Sequence, residues 1–143
     1  MKKLISTLVF SVMAAGAGLA QAQSTLVVEF QGPGGHSSSN YGRTSALHAA
    51  ARSVMALQKA GLPAGSYTVT ELTGGNSVNS IAFDGKFVAK LKPGSGVPES
   101  DFLAKVTEAA KAGADAENAF RNVKAGDLTA GAPADIRYTV TPQ

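Results

Sequence analysis

The spacing of apolar residues switches repeatedly between the period of a strand and the period of a helix, and this order restricts the fold more than any other feature. Strands are predicted at residues 25–31, 67–73, 86–92 and 135–141, and helices at residues 44–60 and 99–112. Asp84 and Gly85 predict a hairpin-type turn before the third strand. The order β-α-β-β-α-β predicts an α+β, ferredoxin-like two-layer sandwich, in which two helices cover one face of a four-stranded antiparallel sheet.

Glycines are expected to mark the ends of the helices. Gly61 is predicted to end the first helix, and Gly113 to end or kink the second, which a short extra helix over residues 115–123 then follows. Arg43 and Arg52 are expected on the solvated side of the first helix. The side chains expected to share one core between the sheet and the helices are Phe30, Val54, Leu57, Phe87, Leu103 and Tyr138.

The N-terminal residues predict where the protein is sent. Lys2 and Lys3 precede an uncharged apolar run over residues 4–19, which leads into the small-x-small sequence AQA. This pattern predicts a cleaved signal peptide over residues 1–22 and export to a bacterial periplasm or to the medium. The alternative is a membrane anchor, but a stable span needs about 20 strongly apolar residues. We therefore expect no membrane association after cleavage, and a single domain over residues 23–143.

Composition excludes several classes of function. The absence of cysteine excludes disulfides, thiol catalysis and thiolate metal sites. Removal of Lys2 and Lys3 with the signal peptide lowers the formal net charge from +3 to +1, and the remaining charges are interspersed. Because the chain has no basic stripe and no tryptophan, we expect no nucleic-acid partner.

Two segments resemble a known family. Residues 32–50 (GPGGHSSSNYGRTSALHAA) carry a glycine-rich His-Ser sequence between the first strand and the first helix. Residues 71–91 (ELTGGNSVNSIAFDGKFVAKL) carry a Gly-Gly-x-x-x-Asn-x-Ile sequence after the second strand. Both segments resemble the lid, or dimerisation, domain of the co-catalytic zinc peptidases and amidohydrolases. That family includes carboxypeptidase G, aminoacylase, acetylornithine deacetylase and succinyl-diaminopimelate desuccinylase.

The resemblance implies roles for three side chains. His36 matches the lid histidine that reaches a partner's active site and steadies an oxyanion; the alternative is a surface histidine kept from a catalytic ancestor. Asn79 matches the lid asparagine that binds a substrate carboxylate or orders its loop; the alternative is an Asx-type turn. Lys92 stands where the family has the arginine of an Asp-x-Arg sequence, and that arginine pairs with the carboxylate of the substrate. The alternative is that Lys92 is an ordinary solvated lysine near a sheet edge.

The loop glycines of the two segments are expected to let the backbone approach a ligand closely. They are Gly34, Gly35, Gly74 and Gly75.

The sequence lacks the zinc ligands of the family that it resembles. His36 and His48 are the histidines of the chain, and neither a His-x-Asp sequence nor an adjacent pair of acidic residues is present. Ser37, Ser38 and Ser39 have no evident carboxylate–histidine partnership, which argues against serine hydrolysis. We therefore expect no metal, no cofactor and no catalytic activity.

Three functions remain open. The first is a non-catalytic association module that homodimerises through its first helix and an adjacent edge strand, as the lids of the family do. The second is a regulatory protein that binds a small carboxylate or a peptide terminus through His36, Asn79 and Lys92. The third is a lid that acts in trans on a separately encoded zinc peptidase catalytic domain.

Overall fold

The computed structural model describes residues 24–143, and the predicted signal peptide over residues 1–22 lies outside them. Two helices and four long strands form the main body, and four two-residue strands lie in its loops. The elements are β1 (Thr25–Gln31), β2 (Gly35–His36), α1 (Ala46–Gln58), β3 (Tyr67–Gly74), β4 (Ser80–Ile81), β5 (Asp84–Leu91), α2 (Glu99–Phe120), β6 (Leu128–Thr129), β7 (Ala132–Pro133) and β8 (Arg137–Pro142).

The four long strands form one antiparallel sheet in the order β3-β5-β1-β8. Val28 in β1 lies opposite Phe87 in β5 on one side and opposite Val140 in β8 on the other. Both helices pack on one face of this sheet and against each other. The predicted α+β class is confirmed, with the strand order of a ferredoxin-like sandwich.

The core lies between the sheet and the two helices. Phe30 and Phe87 are buried there with stacked rings, whose centroids are 6.2 Å apart, and Leu57 is buried from α1. Val54 and Tyr138 are half-buried and pack against this cluster.

The prediction for Leu103 was wrong, since it is 38% exposed while the neighbouring Phe102 is buried. The inner face of α2 continues from Phe102 through Val106 to Ala110. Leu103 borders this inner face in the helical pattern, so the predicted buried face of α2 was one residue too wide.

Gly113 neither ends nor kinks the second helix, which continues to Phe120 and includes most of the predicted extra helix over residues 115–123. A Cβ atom on Gly113 would lie 1.9 Å from the Ser53 hydroxyl and 2.5 Å from the Ser53 backbone nitrogen. The glycine is therefore required because the two helix backbones approach closely at this point. The fully buried Ala49 and Ala50 of α1 permit the same close packing inside the domain.

Asp84 and Gly85 do not form the predicted hairpin turn. They begin β5, where Asp84 lies opposite Gln31, and a nine-residue connection from β3 precedes them. A Cβ atom on Gly85 would lie 2.3 Å from the carbonyl oxygen of Ala46, so this glycine allows α1 to rest directly on the strand. Gly85, which indicated a turn in the sequence, is instead needed for the packing of α1 on β5.

Lys90 lies within β5, two residues before Lys92. It pairs with Thr25 on one side and with Thr68 on the other, because β5 is an internal strand. The edges of the sheet are β3 and β8.

Within residues 24–143, neither helix is long and apolar enough to span a membrane.

Candidate functional site

The two segments that resemble the family's lid meet at one end of the sheet. Gly35 and His36 in β2 pair with Ile81 and Ser80 in β4, and the backbone nitrogen of Ser37 donates to the carbonyl of Asn79 at 2.9 Å. The His-Ser loop follows β1, and the loop that carries the Gly-Gly-x-x-x-Asn-x-Ile sequence precedes β5. Strands β1 and β5 are antiparallel neighbours. The pairing of the strands therefore brings the two loops to the same end of the molecule.

Glycines shape both loops. Gly34 and Gly75 have φ angles of 65° and 77°, in the left-handed region that favours glycine. A Cβ atom on Gly34 would lie 2.7 Å from the Cβ of Phe83, and one on Gly74 would lie 2.5 Å from the carbonyl oxygen of Asp84. These positions need glycine so that the loops can pack against each other, whether or not a ligand binds there.

His36 is held by its neighbours through both ring nitrogens. Its Nδ1 lies 2.8 Å from the Ser38 hydroxyl, and its Nε2 lies 3.2 Å from the side-chain nitrogen of Asn79. The Asn79 oxygen accepts from the Ser77 hydroxyl at 2.6 Å, which turns the amide N–H toward the histidine. Nδ1 also accepts from the backbone N–H of Ser38 at 3.4 Å, so both ring nitrogens take part in holding the loop.

Asn79 links its own loop to the His36 loop. Within the described part of the chain, its side chain hydrogen-bonds Ser77 and His36, and its carbonyl receives the Ser37 N–H. All of these groups are solvent-exposed. The arrangement orders the two loops and leaves their outer surface accessible.

Lys92 does not join the other two predicted ligand residues. It follows β5, whose eight residues begin beside the Asn79 loop, and its backbone nitrogen donates to the carbonyl of Ser66. An extended strand rises about 3.3 Å per residue, so Lys92 lies about 26 Å away at the opposite end of the sheet. His36 and Asn79 are brought together, and Lys92 is separated from them.

Sequence reasoning missed a buried carboxylate between the two helices. Glu117 in α2 has no solvent exposure and accepts from the backbone nitrogen of Ser45 at 3.0 Å. It also accepts from Arg52 Nε at 3.0 Å and from Arg121 Nε at 3.4 Å, while His48 Nδ1 lies 3.9 Å away. The buried acid thus joins the start of α1 to the end of α2.

Arg52 was expected on the solvated side of α1, and that prediction was wrong. Its guanidinium pairs with Glu117 and stacks over the ring of Phe120, 4.9 Å from the ring centroid. The available signal was Glu117 itself, which continues the buried face of α2 at helical spacing from Gly113 and Ala114. A charged residue on an apolar face needs a partner of opposite charge.

Among residues 24–143, no group of three or more histidine, aspartate or glutamate side chains is placed to hold a metal ion.

The peptidase dimerisation domain family matches residues 17–118. No curated protein matches this sequence. Among solved structures, an amidase of the hydantoinase/carbamoylase family from Burkholderia ambifaria is 18% identical with a TM-score of 0.59. An aminobenzoyl-glutamate utilization protein from Klebsiella pneumoniae is 16% identical with a TM-score of 0.55.

Each match covers 83% of this chain but 26% and 27% of those proteins, so the chain spans about a quarter of their length. At this level of identity the structural similarity establishes the fold. The family match covers well over half of the sequence and includes both loops of the site. The chain belongs to the peptidase dimerisation domain family.

Proposed function

We propose that residues 23–143 act, after export and removal of the signal peptide, as a non-catalytic association module that forms a two-fold homodimer. Membership of the dimerisation domain family supports self-association. The single observation that carries the proposal is a half-exposed apolar stripe on α1, beside an edge strand whose outer side is unpaired within the described residues.

The stripe consists of Leu47, Ala51 and Val54, and we call it the α1 stripe. These residues lie at i, i+4 and i+7, so they share one face of the helix. Each is half-buried in the single chain. The Cβ of Leu47 lies 3.1 Å from the position of a Cβ on Gly74, which places the start of the stripe against the end of β3. The stripe therefore borders the β3 edge of the sheet.

The β3 edge offers a short segment for strand pairing. β3 pairs with β5 on one side, and its register shifts between Thr70 and Thr73. Glu71 in this bulge has a φ of 56° and forms an ion pair with Lys86 at 3.1 Å. Bulges and charges limit pairing along an edge, so the segment open to a partner strand is residues 67–70. A two-fold axis beside this segment would join two sheets and two α1 stripes.

Mutation of the stripe tests the dimer. Ala51→Glu places a charge on the contact face, and we expect it to shift the protein from dimer to monomer without loss of fold. An interface of standard size buries roughly 1,200–2,000 Å² in total, which a buried unpaired charge would weaken strongly. The measurement is mass in solution by multi-angle light scattering, with circular dichroism to verify the fold.

Ala104→Glu is the matched control, because Ala104 is exposed on α2. It should leave the mass of the dimer unchanged. A wild-type protein that is monomeric at about 100 µM would refute the proposal, since interfaces of this size bind more tightly than that. Arg52 also lies on α1, but its substitution would not test the dimer alone, because it would leave Glu117 with one fewer partner.

Export is tested at the N-terminus. The proposal expects mature protein in the periplasmic or extracellular fraction, with Gln23 as its first residue. Recovery of the intact N-terminus from the membrane fraction would instead support the anchor alternative.

A lid that acts on a separate zinc peptidase domain is the second candidate. The exposed, adjacent placement of His36 and Asn79 favours it, since these residues match the lid side chains that face an active site. The candidate that binds a carboxylate through His36, Asn79 and Lys92 together loses support, because Lys92 lies at the other end of the sheet.

A further inference from the structure

A concave site lies between the loop that precedes α1, strand β4, the start of α1 and the end of α2. Its volume is about 240 Å³. Arg43, His48 and Arg121 line it together with Ser37 and Tyr41. No aspartate or glutamate is among the lining residues. A cavity lined by cationic groups and hydroxyls, without a carboxylate, has the chemistry of an anion site.

The charges around this cavity do not balance. Arg52 and Arg121 share the carboxylate of Glu117, whereas Arg43 has no carboxylate partner within 4.0 Å among residues 24–143. Three arginines therefore accompany one buried acid. Arg43 is half-buried and the Arg121 side chain is 22% exposed, so water screens their charges less than it screens those of fully exposed side chains.

The two lining arginines keep donors for a ligand. A guanidinium carries five N–H donors. Arg121 uses Nε for Glu117, and Arg43 uses one terminal nitrogen for the carbonyl of Gly34 at 3.0 Å. These contacts also fix both side chains, since Arg43 is half-buried and the side chain of Arg121 is 22% exposed. Two positioned guanidinium groups on one cavity are suited to the oxygen pair of an oxyanion.

We propose that this cavity binds a small oxyanion, either a carboxylate or a phosphate group of a small molecule. Arg43 and Arg121 bind its oxygens. Ile81 and Ala82 form an apolar part of the wall and accommodate a short apolar substituent. The site is distinct from the His36–Asn79 contact, since neither His36 nor Asn79 is among its lining residues. The inference goes beyond the association function and does not depend on it.

Titration of the protein over residues 23–143 with sodium acetate and, separately, with inorganic phosphate tests the proposal at constant ionic strength. Saturable one-to-one binding of at least one anion is expected, with Kd on the order of 1 mM. Amide chemical shifts in residues 37–48 should change on binding. Saturation by acetate alone identifies a carboxylate site, and saturation by phosphate alone identifies a phosphate site.

Variants decide whether the cavity is the site. Arg43→Gln and Arg121→Gln should each weaken binding about tenfold, because each removes a charge-assisted contact. Arg137→Gln is the matched control, since Arg137 is exposed on β8, and it should leave the affinity unchanged. Arg43→Lys keeps the charge but not the planar fork, and we expect an intermediate loss.

Three results would overturn the proposal. They are the absence of saturation by both anions up to about 20 mM, equal weakening by Arg137→Gln and Arg43→Gln, and shift changes outside the cavity. If Arg121→Gln fails to fold because Glu117 loses a partner, Arg43→Gln still decides the matter, since the hydrogen bond of Arg43 is to the carbonyl of Gly34. Ala51→Glu should bind the anion as the wild type does, which separates this test from the test of the dimer.

Discussion

At the scale of single residues, Glu117 shows how a buried charge specifies the arrangement of two helices. One of its oxygens accepts from the backbone of Ser45, the N-cap of α1, and from Arg121 in its own helix. The other oxygen accepts from Arg52 in α1. A buried ion pair adds little net stability, but the loss of one partner leaves an uncompensated charge. Glu117 therefore contributes mainly to the relative position of the helices.

Glu117→Gln should lower the free energy of unfolding by about 3 kcal/mol, because it leaves Arg52 and Arg121 without a carboxylate. Urea denaturation of the two proteins measures the difference. Glu108→Gln is the control, since its side chain is 71% exposed and its pair with Lys105 lies on the surface. The control should change the stability by less than about 0.5 kcal/mol. Equal effects of the two changes would contradict this account of Glu117.

Two of the predicted site residues meet, although nothing in their spacing required it. His36 and Asn79 are 43 positions apart and belong to separate loops. Their contact follows from the antiparallel pairing of β1 with β5, which single-residue patterns do not encode. Lys92 was predicted by matching positions of a motif, whereas the length of β5 determines where it lies. The sequence therefore identified the candidate residues but did not predict the distances between them.

At the scale of elements, the strands were more predictable than the helix boundaries. β1 alternates cleanly between buried and exposed side chains, and its observed bounds equal the predicted ones. The end of α2 was misplaced because Gly113 has a low intrinsic helix propensity. Contact with Ser53 of α1 outweighs that propensity, and such a contact joins positions far apart in the sequence.

Gly113→Ala should destabilise the protein by about 3 kcal/mol or more, even though alanine forms helices better by about 1 kcal/mol. The added methyl group would overlap the backbone nitrogen of Ser53, which cannot rotate away. The thermal unfolding midpoint measures the loss. Thr107→Ala, on the exposed side of the same helix, is the control and should leave the midpoint within about 3 °C. A stabilised Gly113→Ala would show that the helices are farther apart.

At the scale of the whole molecule, the association proposal implies a fold that does not depend on a metal. The histidines of the sequence are His36 and His48, and His36 is already engaged through both ring nitrogens. We expect the purified protein to keep less than about 0.1 zinc per chain after dialysis, and its unfolding midpoint to be insensitive to a chelator. Elemental analysis and thermal denaturation test this. One or two zinc ions per chain, or unfolding by the chelator, would refute it.

The bulge at Glu71 also bears on assembly beyond a dimer. Within residues 24–143 the sheet has two free edges, β3 and β8. Pairing of one edge with the other edge of the next molecule would not close, and its repetition would build a filament. The bulge leaves four residues of β3 before the register changes, too short a template for a growing strand stack. A short edge beside an apolar helix favours a partner that covers both at once. Under the proposed homodimer, the chain would form a closed pair and would not grow into fibrils.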